Sequence, residues 1–338
     1  MKPVIGSVTV LMGLLMGVTG CANADEKSAK NITVGASQTQ SHTNNQSIKP
    51  AFDTQTIATL NEPWAMTVIA QANKPIQFLV TQKSGELLLI DETGEKRTIS
   101  GVPAVAYGGQ GGLGDVILAP DFATSHDIYL SYAEAGDNAT AGAKVIKATI
   151  KDLDSQSPSL VNTRTIWTQT PKVTGQGHFS HKLLISPDKK YLFISSGDRQ
   201  KFIPAQDMSG NLGKIIRLNL DGSIPSDNPF LAKYGKDNIA AQFWSIGHRN
   251  TYGMAFDKQG TFWQHEMGPK GGDELNIIEK GQNYGWPIVS NGDNYDGSVI
   301  PDHNTRPEFT APKVSWTPVI SPSALAIYDK GAQHNDFP

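Results

Sequence analysis

Four loops of the 338-residue sequence concentrate the polar residues that could do chemistry. They carry Gln110 within a run of glycines, His178, the pair Arg249 and Asn250, and the segment 266–274. Histidine titrates near neutral pH and can serve as a general base. Arginine offers a fixed fork of donors to a carboxylate or a developing oxyanion. Together, these side chains are typical of a site that removes a proton and stabilises negative charge.

The fourth loop has the composition of a calcium site. Gly268 and Pro269 offer backbone carbonyls, and Asp273 and Glu274 offer carboxylates. These are the hard oxygen ligands that Ca²⁺ prefers, whereas the loops provide no His/Cys set for zinc. The only cysteine, Cys21, excludes an intramolecular disulfide and a Cys-ligated metal cluster.

Each loop taken alone also has a structural interpretation. The glycines around Gln110 suit a tight turn; a phosphate-binding loop is excluded because no helix follows that could offer its N-terminus. A lone histidine is more often structural, an arginine can tie loops together, and an acidic loop can be a solvated turn. His181 lies three residues after His178, so on a strand it faces the opposite side and is not expected to join it.

A repeated unit positions the four loops. Its order is strand, Asp turn, strand, long loop, strand, and its anchors Asp121, Asp188 and Asp257 are 67 and 69 residues apart. Antiparallel strands repeated at constant spacing are typical of a β-propeller. The sequence therefore predicts an all-β propeller in which the four loops converge on one end of the central channel. A β-sandwich with accidental spacing is the alternative.

The repeat predicts four to five blades in residues 51–338. A first unit begins near Trp64, and the first strand of a fifth lies near Ala324–Tyr328. A closed ring leaves no strand edge unpaired, so we expect that the C-terminal blade or blades are missing from this sequence. No segment has the pattern of a three-turn helix.

The first 50 residues predict export. Residues 1–20 combine a basic start with an apolar stretch too short to span a membrane, which is typical of a signal peptide. Small residues before Cys21 resemble a lipobox, so we expect lipidation of Cys21 and a bacterial lipoprotein that faces the periplasm, held to the membrane by the lipid alone. An ordinary signal peptide is the alternative. Residues 21–50 have the polar composition of a flexible tether. The net charge of −3 disfavours nucleic acid as a partner.

Five stretches taken together resemble the soluble quinoprotein glucose and aldose sugar dehydrogenases, which use pyrroloquinoline quinone (PQQ) on a six-bladed β-propeller. The stretches are GGQGGLGDVILAPDF, GHFSHKLLISPD, LGKIIRLNLDGSIPSDNPF, WSIGHRNTYGMAF and EMGPKGGDELNIIEKGQNYGWP. They stand in the family's order, and a weaker match, SWTPVISPSALAIY, follows them. The resemblance implies a six-bladed fold, here incomplete. It also implies PQQ-dependent oxidation of an aldose at C1 to the lactone, with an external electron acceptor.

The resemblance further implies a role for each residue of the site. His178 matches the general base that takes the proton of the anomeric hydroxyl, and Gln110 matches a residue beside it. Arg249 and Asn250 match contacts to the quinone, and Trp316 matches an aromatic residue near the cofactor.

The same resemblance implies two calcium regions. Gly268 and Pro269 match the carbonyls that bind the Ca²⁺ holding PQQ. Asp273, Glu274 and Tyr284 match ligands of a further, structural Ca²⁺ region.

One departure bears on the substrate. Glucose dehydrogenases of this family have an aspartate directly before the base, where this sequence has Gly177. The difference favours the broader aldose sugar dehydrogenase branch and leaves the sugar open. The two competing functions are a Ca²⁺-dependent lactone hydrolase and a non-catalytic binding propeller.

Overall fold

The computed structural model describes residues 54–328, which form four antiparallel sheets. The predicted signal peptide, Cys21 and the tether therefore lie outside the described residues. The first sheet consists of β1 Pro63–Ile69, β2 Gln77–Gln82, β3 Glu86–Asp91 and β4 Lys96–Ile99. The second consists of β5 Leu113–Leu118, β6 Asp127–Ala135, β7 Thr140–Lys151 and β8 Ser159–Thr168, with β9 Val173–Thr174 paired to β7.

The other two sheets repeat the same order. The third consists of β10 Ser180–Ile185, β11 Tyr191–Ser196, β12 Lys214–Asn219 and β13 Phe243–Ile246. The fourth consists of β14 Thr251–Phe256, β15 Phe262–Glu266, β17 Asp273–Ile277 and β19 Val314–Trp316. A separate ribbon pairs β16 Lys270–Gly271 with β18 Gly292–Asp293.

Helices in the described residues are limited to single turns, as the sequence predicts. The two α-helical turns are α1 Phe122–Ser125 and α2 Leu231–Tyr234, and the 3₁₀ turns are Ile203–Ala205, Ile239–Gln242 and His303–Thr305. No helix in residues 54–328 is long and apolar enough to cross a membrane.

The second and third sheets are buried on both faces, which explains why their strands are apolar at consecutive positions. Ile128 and Leu130 of β6 pack in a core between the first two sheets, whereas Tyr129 packs on the opposite side against the third sheet. In β11, Ile194 faces the second sheet and Phe193 faces the fourth. Successive side chains of a strand point to opposite faces, so the second and third sheets are each packed between two neighbours, like propeller blades.

The first strands of the sheets, β1, β5, β10 and β14, lie next to one another in chain order. Each sheet then runs outward in sequence order. The predicted all-β propeller is thereby confirmed, with four blades in the described residues. The second strand of the unit anchored at Asp188 is β11, and β2 and β3 form a hairpin around Lys83–Gly85.

The predicted first strand of a fifth unit, at Ala324–Tyr328, is wrong for the described residues. That segment is not assigned to a strand and pairs with none of the four sheets. Leu325, Ile327 and Tyr328 instead lie against the fourth sheet, where they line a cavity with Trp263 and Leu275. A β-type sequence becomes a strand only when a neighbour pairs with its backbone.

Candidate active site

The structure brings the four predicted loops to one cavity of about 620 Å³. Its walls include Gln110, His178, Arg249, Gly268 and Pro269. Each lies at or next to the end of a strand near the channel, so the blade repeat gathers residues that are far apart in the sequence. The cavity is the candidate site, and its chemistry depends on how each side chain is held.

His178 is held by a buried carboxylate that the sequence analysis missed. His178 Nδ1 lies 2.6 Å from Asp198 Oδ1, and Asp198 is fully buried. Asp198 Oδ2 accepts a hydrogen bond of 2.8 Å from Trp286 Nε1. An ionised carboxylate only accepts, so the shared proton belongs to Nδ1 and leaves Nε2 with a free lone pair. This is the tautomer that a general base requires.

The backbone around His178 is also constrained. His178 adopts a φ of 49°, in the left-handed region that non-glycine residues seldom occupy. The buried guanidinium of Arg199 donates hydrogen bonds to the carbonyls of Gly177 and Gly175, at 2.9 Å and 2.5 Å. It also stacks 3.5 Å from the ring centre of Phe179. Burial lowers the pKa of Arg199 to about 10, so it remains charged at neutral pH and clamps the turn.

Gln110 connects the base to the Arg249–Asn250 loop. Its Oε1 accepts from the backbone N–H of His178 at 2.6 Å and from the Tyr252 hydroxyl at 3.1 Å. Asn250 Nδ2 donates to the same oxygen at 3.4 Å. Because the oxygen is occupied, the NH₂ group of Gln110 is the half of the amide left for a ligand.

Arg249 offers an unsatisfied donor next to the cavity. It is 6 % exposed, and its Nη1 donates to the carbonyl of Met267 at 2.9 Å. Its guanidinium lies 5.1 Å from the ring centre of Trp286. Within the described part of the chain, the buried Nε has no hydrogen-bond partner. Such orphaned donors are rare and call for an explanation; an oxygen of a bound ligand would supply one.

Glu266 fixes the backbone that carries Arg249 and Asn250. Its carboxylate accepts the backbone N–H of Arg249 and, at 3.2 Å, that of Asn250, while His248 Nδ1 lies 3.1 Å away. Burial alone favours the neutral acid, but these hydrogen bonds and His248 outweigh it and hold the pKa of Glu266 below its usual value.

The predicted calcium residues line two adjoining spaces: Gly268 and Pro269 share the cavity with Asp273, and they share a smaller pocket with Glu274 and Tyr284. Gly268 and Pro269 line the cavity. The Asp273 carboxylate closes this loop, because it accepts the backbone N–H groups of Gly268 at 2.8 Å and of Ile320 and Ser321 at 2.7 Å each. Among residues 54–328, no group of three or more His, Cys, Asp and Glu side chains is placed to hold a metal ion.

Glu274 and Tyr284 do not meet through their polar groups. Glu274 Oε1 lies 3.3 Å from His303 Nε2, and burial is the main reason why its pKa is raised. The Tyr284 hydroxyl donates instead to the carbonyl of Ile277 at 2.5 Å. Trp316, in β19, is paired with Asp273 and is not one of the cavity-lining residues, although the next residue, Thr317, is.

Two residues of the site, Asp198 and Trp286, escape the sequence analysis. Asp198 follows β11 by two residues, and Glu266 ends the corresponding second strand of the next blade, β15. An acidic residue within two residues of the end of the second strand in two successive repeats was the available signal for Asp198. Trp286 lies 88 positions from Asp198, and nothing local marks its indole N–H as a partner.

Comparisons with known proteins define the class. Residues 60–337 match the Glucose / Sorbosone dehydrogenase family, and the chain belongs to it. The chain is 40 % identical over 276 residues to the aldose sugar dehydrogenase YliI of Escherichia coli, covering 80 % of this chain and 71 % of that protein. It is 32 % identical over 244 residues to quinoprotein glucose dehydrogenase B of Acinetobacter calcoaceticus, covering 63 % of this chain and 48 % of that one.

Solved structures agree with this assignment. The soluble aldose sugar dehydrogenase of E. coli, crystallised in the apo form, superposes with a TM-score of 0.71 at 38 % identity, covering 78 % of this chain and 75 % of that one. The PQQ-bound aldose sugar dehydrogenase of Streptomyces coelicolor superposes with a TM-score of 0.62 at 27 % identity, covering 80 % and 73 %. The protein is thus a member of a sugar dehydrogenase family with the quinoprotein propeller fold.

Proposed function

We propose that this protein oxidises an aldose at C1 to the lactone, with PQQ as the bound electron acceptor and His178 as the general base. The observation that carries the proposal is the pairing of two features on one cavity. His178 is oriented by Asp198 through Nδ1, and Arg249 presents a buried, unpartnered Nε. A base and a cationic donor are what the removal of a proton from the C1 hydroxyl and of a hydride from C1 requires.

The protein's residues act in a defined order. The anomeric hydroxyl donates to His178 Nε2, which takes its proton as the C1–H bond breaks. Asp198 stabilises the imidazolium that forms, as a buried carboxylate does in other dyads. Gln110 holds His178 in place because its side-chain oxygen accepts a hydrogen bond from the His178 backbone N–H. The sugar loses two electrons and two protons, and an external acceptor finally removes the electrons.

The residues present fit a quinone cofactor. The cavity of about 620 Å³ has room for a flat ligand, and Arg249 Nε lacks the acceptor that a ligand oxygen would supply. Arg249 and the NH₂ of Gln110 would hold it by donating hydrogen bonds, whereas Asn250 is fully buried and its Nδ2 donates to Gln110 Oε1. When bound, PQQ supplies the two-electron acceptor for the hydride that leaves C1, so the chain needs no redox cysteine.

A Ca²⁺ ion fits the same cavity only if the protein and a bound cofactor both supply oxygens to it. Gly268 and Pro269 offer two carbonyls at its wall, whereas Ca²⁺ takes six to eight oxygens. Water and the oxygens of a bound cofactor would have to supply the rest. We therefore propose that Ca²⁺ and PQQ bind together at this loop. The structural Ca²⁺ region stays a prediction that centres on Glu274.

Reconstitution tests the function. The full chain, incubated with PQQ and Ca²⁺, is expected to reduce an artificial dye in the presence of aldoses. His178→Ala should abolish turnover but retain PQQ binding in equilibrium dialysis, whereas the matched control His126→Ala, at the half-buried C-cap of α1, should behave like the wild type. Sugar-independent dye reduction, or full turnover by His178→Ala, would overturn the proposal. Binding of PQQ without turnover in the wild type would favour a binding propeller, and lactone hydrolysis without PQQ would favour the hydrolase.

Localisation is a separate proposal. Cys21 and its upstream residues predict a lipid-anchored protein that faces the periplasm. In a bacterial host, wild-type protein should fractionate with membranes and Cys21→Ala should not; equal distribution of the two would contradict lipidation.

A further inference from the structure

Lys214 is a buried cation that the proposed chemistry does not use. It is the first residue of β12 and is fully buried. In the sheet it pairs with Ser196, the last residue of β11, and with Ile246, the last residue of β13. Asp198 follows Ser196 by two residues, and Arg249 follows Ile246 by three. Lys214 therefore lies between the two points at which the chain leaves the third sheet for the active site.

The ammonium group of Lys214 binds backbone rather than a carboxylate. Its Nζ donates to the carbonyls of Pro204 at 2.7 Å, Ala205 at 2.9 Å and Leu212 at 2.8 Å. These three carbonyls belong to the 197–213 loop, which connects β11 to β12 and carries Asp198. The three N–H donors of an ammonium match three carbonyls, so the side chain ties the middle of the loop to its C-terminal end.

The Ala205 carbonyl extends this link to the arginine loop. It also accepts the backbone N–H of Gly247 at 3.1 Å. A second bond, from the Asp198 N–H to the Arg249 carbonyl at 2.9 Å, joins the same two segments nearer the cavity. Two backbone hydrogen bonds thus join the 197–213 loop, which carries Asp198, to the segment 247–249, which carries Arg249. Lys214 lies at the buried end of this contact.

Burying the charged form of Lys214 costs free energy. Burial lowers its pKa to about 7, and the charge of Asp207 only partly opposes this effect. Its aromatic neighbour, Phe243, has its ring centre 5.4 Å from Nζ. A methionine would fill the same space without the cost of burying a charge. The presence of a lysine therefore implies that its hydrogen bonds to the loop serve a purpose.

We propose that Lys214 is a positioning residue: it fixes the 197–213 loop against Gly247, so that Asp198 and Arg249 keep their relative places on the cavity. Its effect on turnover rests on the proposed function. Its effect on the His178–Asp198 hydrogen bond does not, because that bond exists without cofactor or sugar. The two readouts therefore separate a failure of this inference from a failure of the function.

The experiment compares Lys214→Met with Lys147→Met in the full chain. Lys147 lies on β7, the corresponding third strand of the second sheet, and pairs with Asp127 at 2.8 Å, away from the cavity. In cofactor-free protein, the downfield NMR signal of the His178 Nδ1 proton should broaden or vanish in Lys214→Met and persist in Lys147→Met. With PQQ and Ca²⁺, kcat should fall by about 100-fold, the scale of a misplacement of about 1 Å, while KM stays within about twofold.

The outcomes are distinct. An unchanged Nδ1 signal in folded Lys214→Met overturns the inference. Loss of that signal supports it, even if the wild type proves to have no dehydrogenase activity, in which case only the proposed function fails. If Lys214→Met does not fold, Lys214→Ala is examined with propylammonium, which can occupy the vacated space. Recovery of the signal with propylammonium, but not with 1-propanol, supports the inference, and no recovery with either overturns it.

Discussion

His178 Nδ1 and Asp198 Oδ1 are 2.6 Å apart; His178 lies at the wall of the cavity, and Asp198 is fully buried behind it. The carboxylate is itself fixed from a distant part of the chain, through the indole N–H of Trp286. The imidazole of His178, the proposed base, is therefore oriented before any substrate arrives. In a family that acts on sugars, this pre-orientation links the fold to the chemistry.

Replacing Asp198 should separate binding from turnover. In Asp198→Asn, an amide faces Nδ1 and favours the tautomer with its proton on Nε2, which cannot accept the sugar's proton. We expect kcat to fall by about 10²–10⁴-fold, the range seen when a buried carboxylate partner is neutralised. Binding of PQQ, measured by dialysis, should change little. Asp188→Asn, in an outer turn, is the control, and a loss below tenfold in Asp198→Asn would contradict the assigned role.

A second prediction concerns Gly177. A Cβ at this position would lie 2.5 Å from Cδ of Gln200, an exposed side chain. Because the obstacle is a flexible side chain, Gly177→Asp should fold with a melting temperature close to that of the wild type once Gln200 moves. The new carboxylate beside His178 should change the ratio of kcat/KM between two aldoses by about tenfold, within the range for one added pocket contact.

Gln200→Ala is the matched control for this change. It should leave room for the new side chain, so that Gly177→Asp with Gln200→Ala shows the same altered preference without any loss of stability. An unchanged sugar profile in both Gly177→Asp proteins would show that this position does not face the substrate.

The blades could be predicted from the sequence because their signal is local and repeated. The strand Tyr191–Ser196 begins with four aromatic or aliphatic residues, lies between turns, and has a counterpart in each unit, so its place follows from pattern alone. The convergence of the loops follows from the repeat. The segment Ala324–Tyr328 has the same composition but forms no ladder in the described residues, because strand formation depends on a partner that composition does not reveal.

The partners within the site could not be predicted in this way. Asp198 resembles the many Asp residues that close turns in this chain, and only its burial against His178 distinguishes it. In the sequence, Lys214 looks like an ordinary polar residue at a strand end. In the structure, its ammonium group is surrounded by three carbonyls from one loop. Such contacts join positions that are distant in the sequence, and no local pattern encodes them.

A third prediction concerns close packing between blades. A Cβ on Gly114 in β5 would lie 1.9 Å from Cε1 of His181, whose ring is buried. Unlike Gln200, this ring has no open space to enter. Gly114→Ala should therefore lower the free energy of unfolding by about 1–3 kcal/mol, as overpacking does, measured by urea denaturation. The second change His181→Ala should recover part of that loss, and an unchanged denaturation midpoint in Gly114→Ala would contradict the packing.

The last prediction concerns acid stability. Burial, reinforced by the charges of Lys182 and Arg199, lowers the pKa of His181 to about 3, against about 6.5 in the unfolded chain. Between these values the unfolded state binds the extra proton, so stability falls as the pH drops from 6.5 towards 3, by up to about 1.4 kcal/mol per pH unit for this group. His181→Gln cannot take up that proton and should lose less stability over the same range.

Urea midpoints at several pH values from 7.5 down to 4 test this difference. Carboxylates with lowered pKa values, such as Asp188, also make the protein less stable in acid, but they do so equally in both proteins. The difference between wild type and His181→Gln therefore isolates the histidine, and it should shift steadily in favour of the variant below pH 6.5. Parallel curves would mean that His181 takes up its proton in the folded state. Because His181 Nδ1 lies 2.9 Å from Ser131 Oγ and its Nε2 has no partner in the described part of the chain, we expect the curves to diverge.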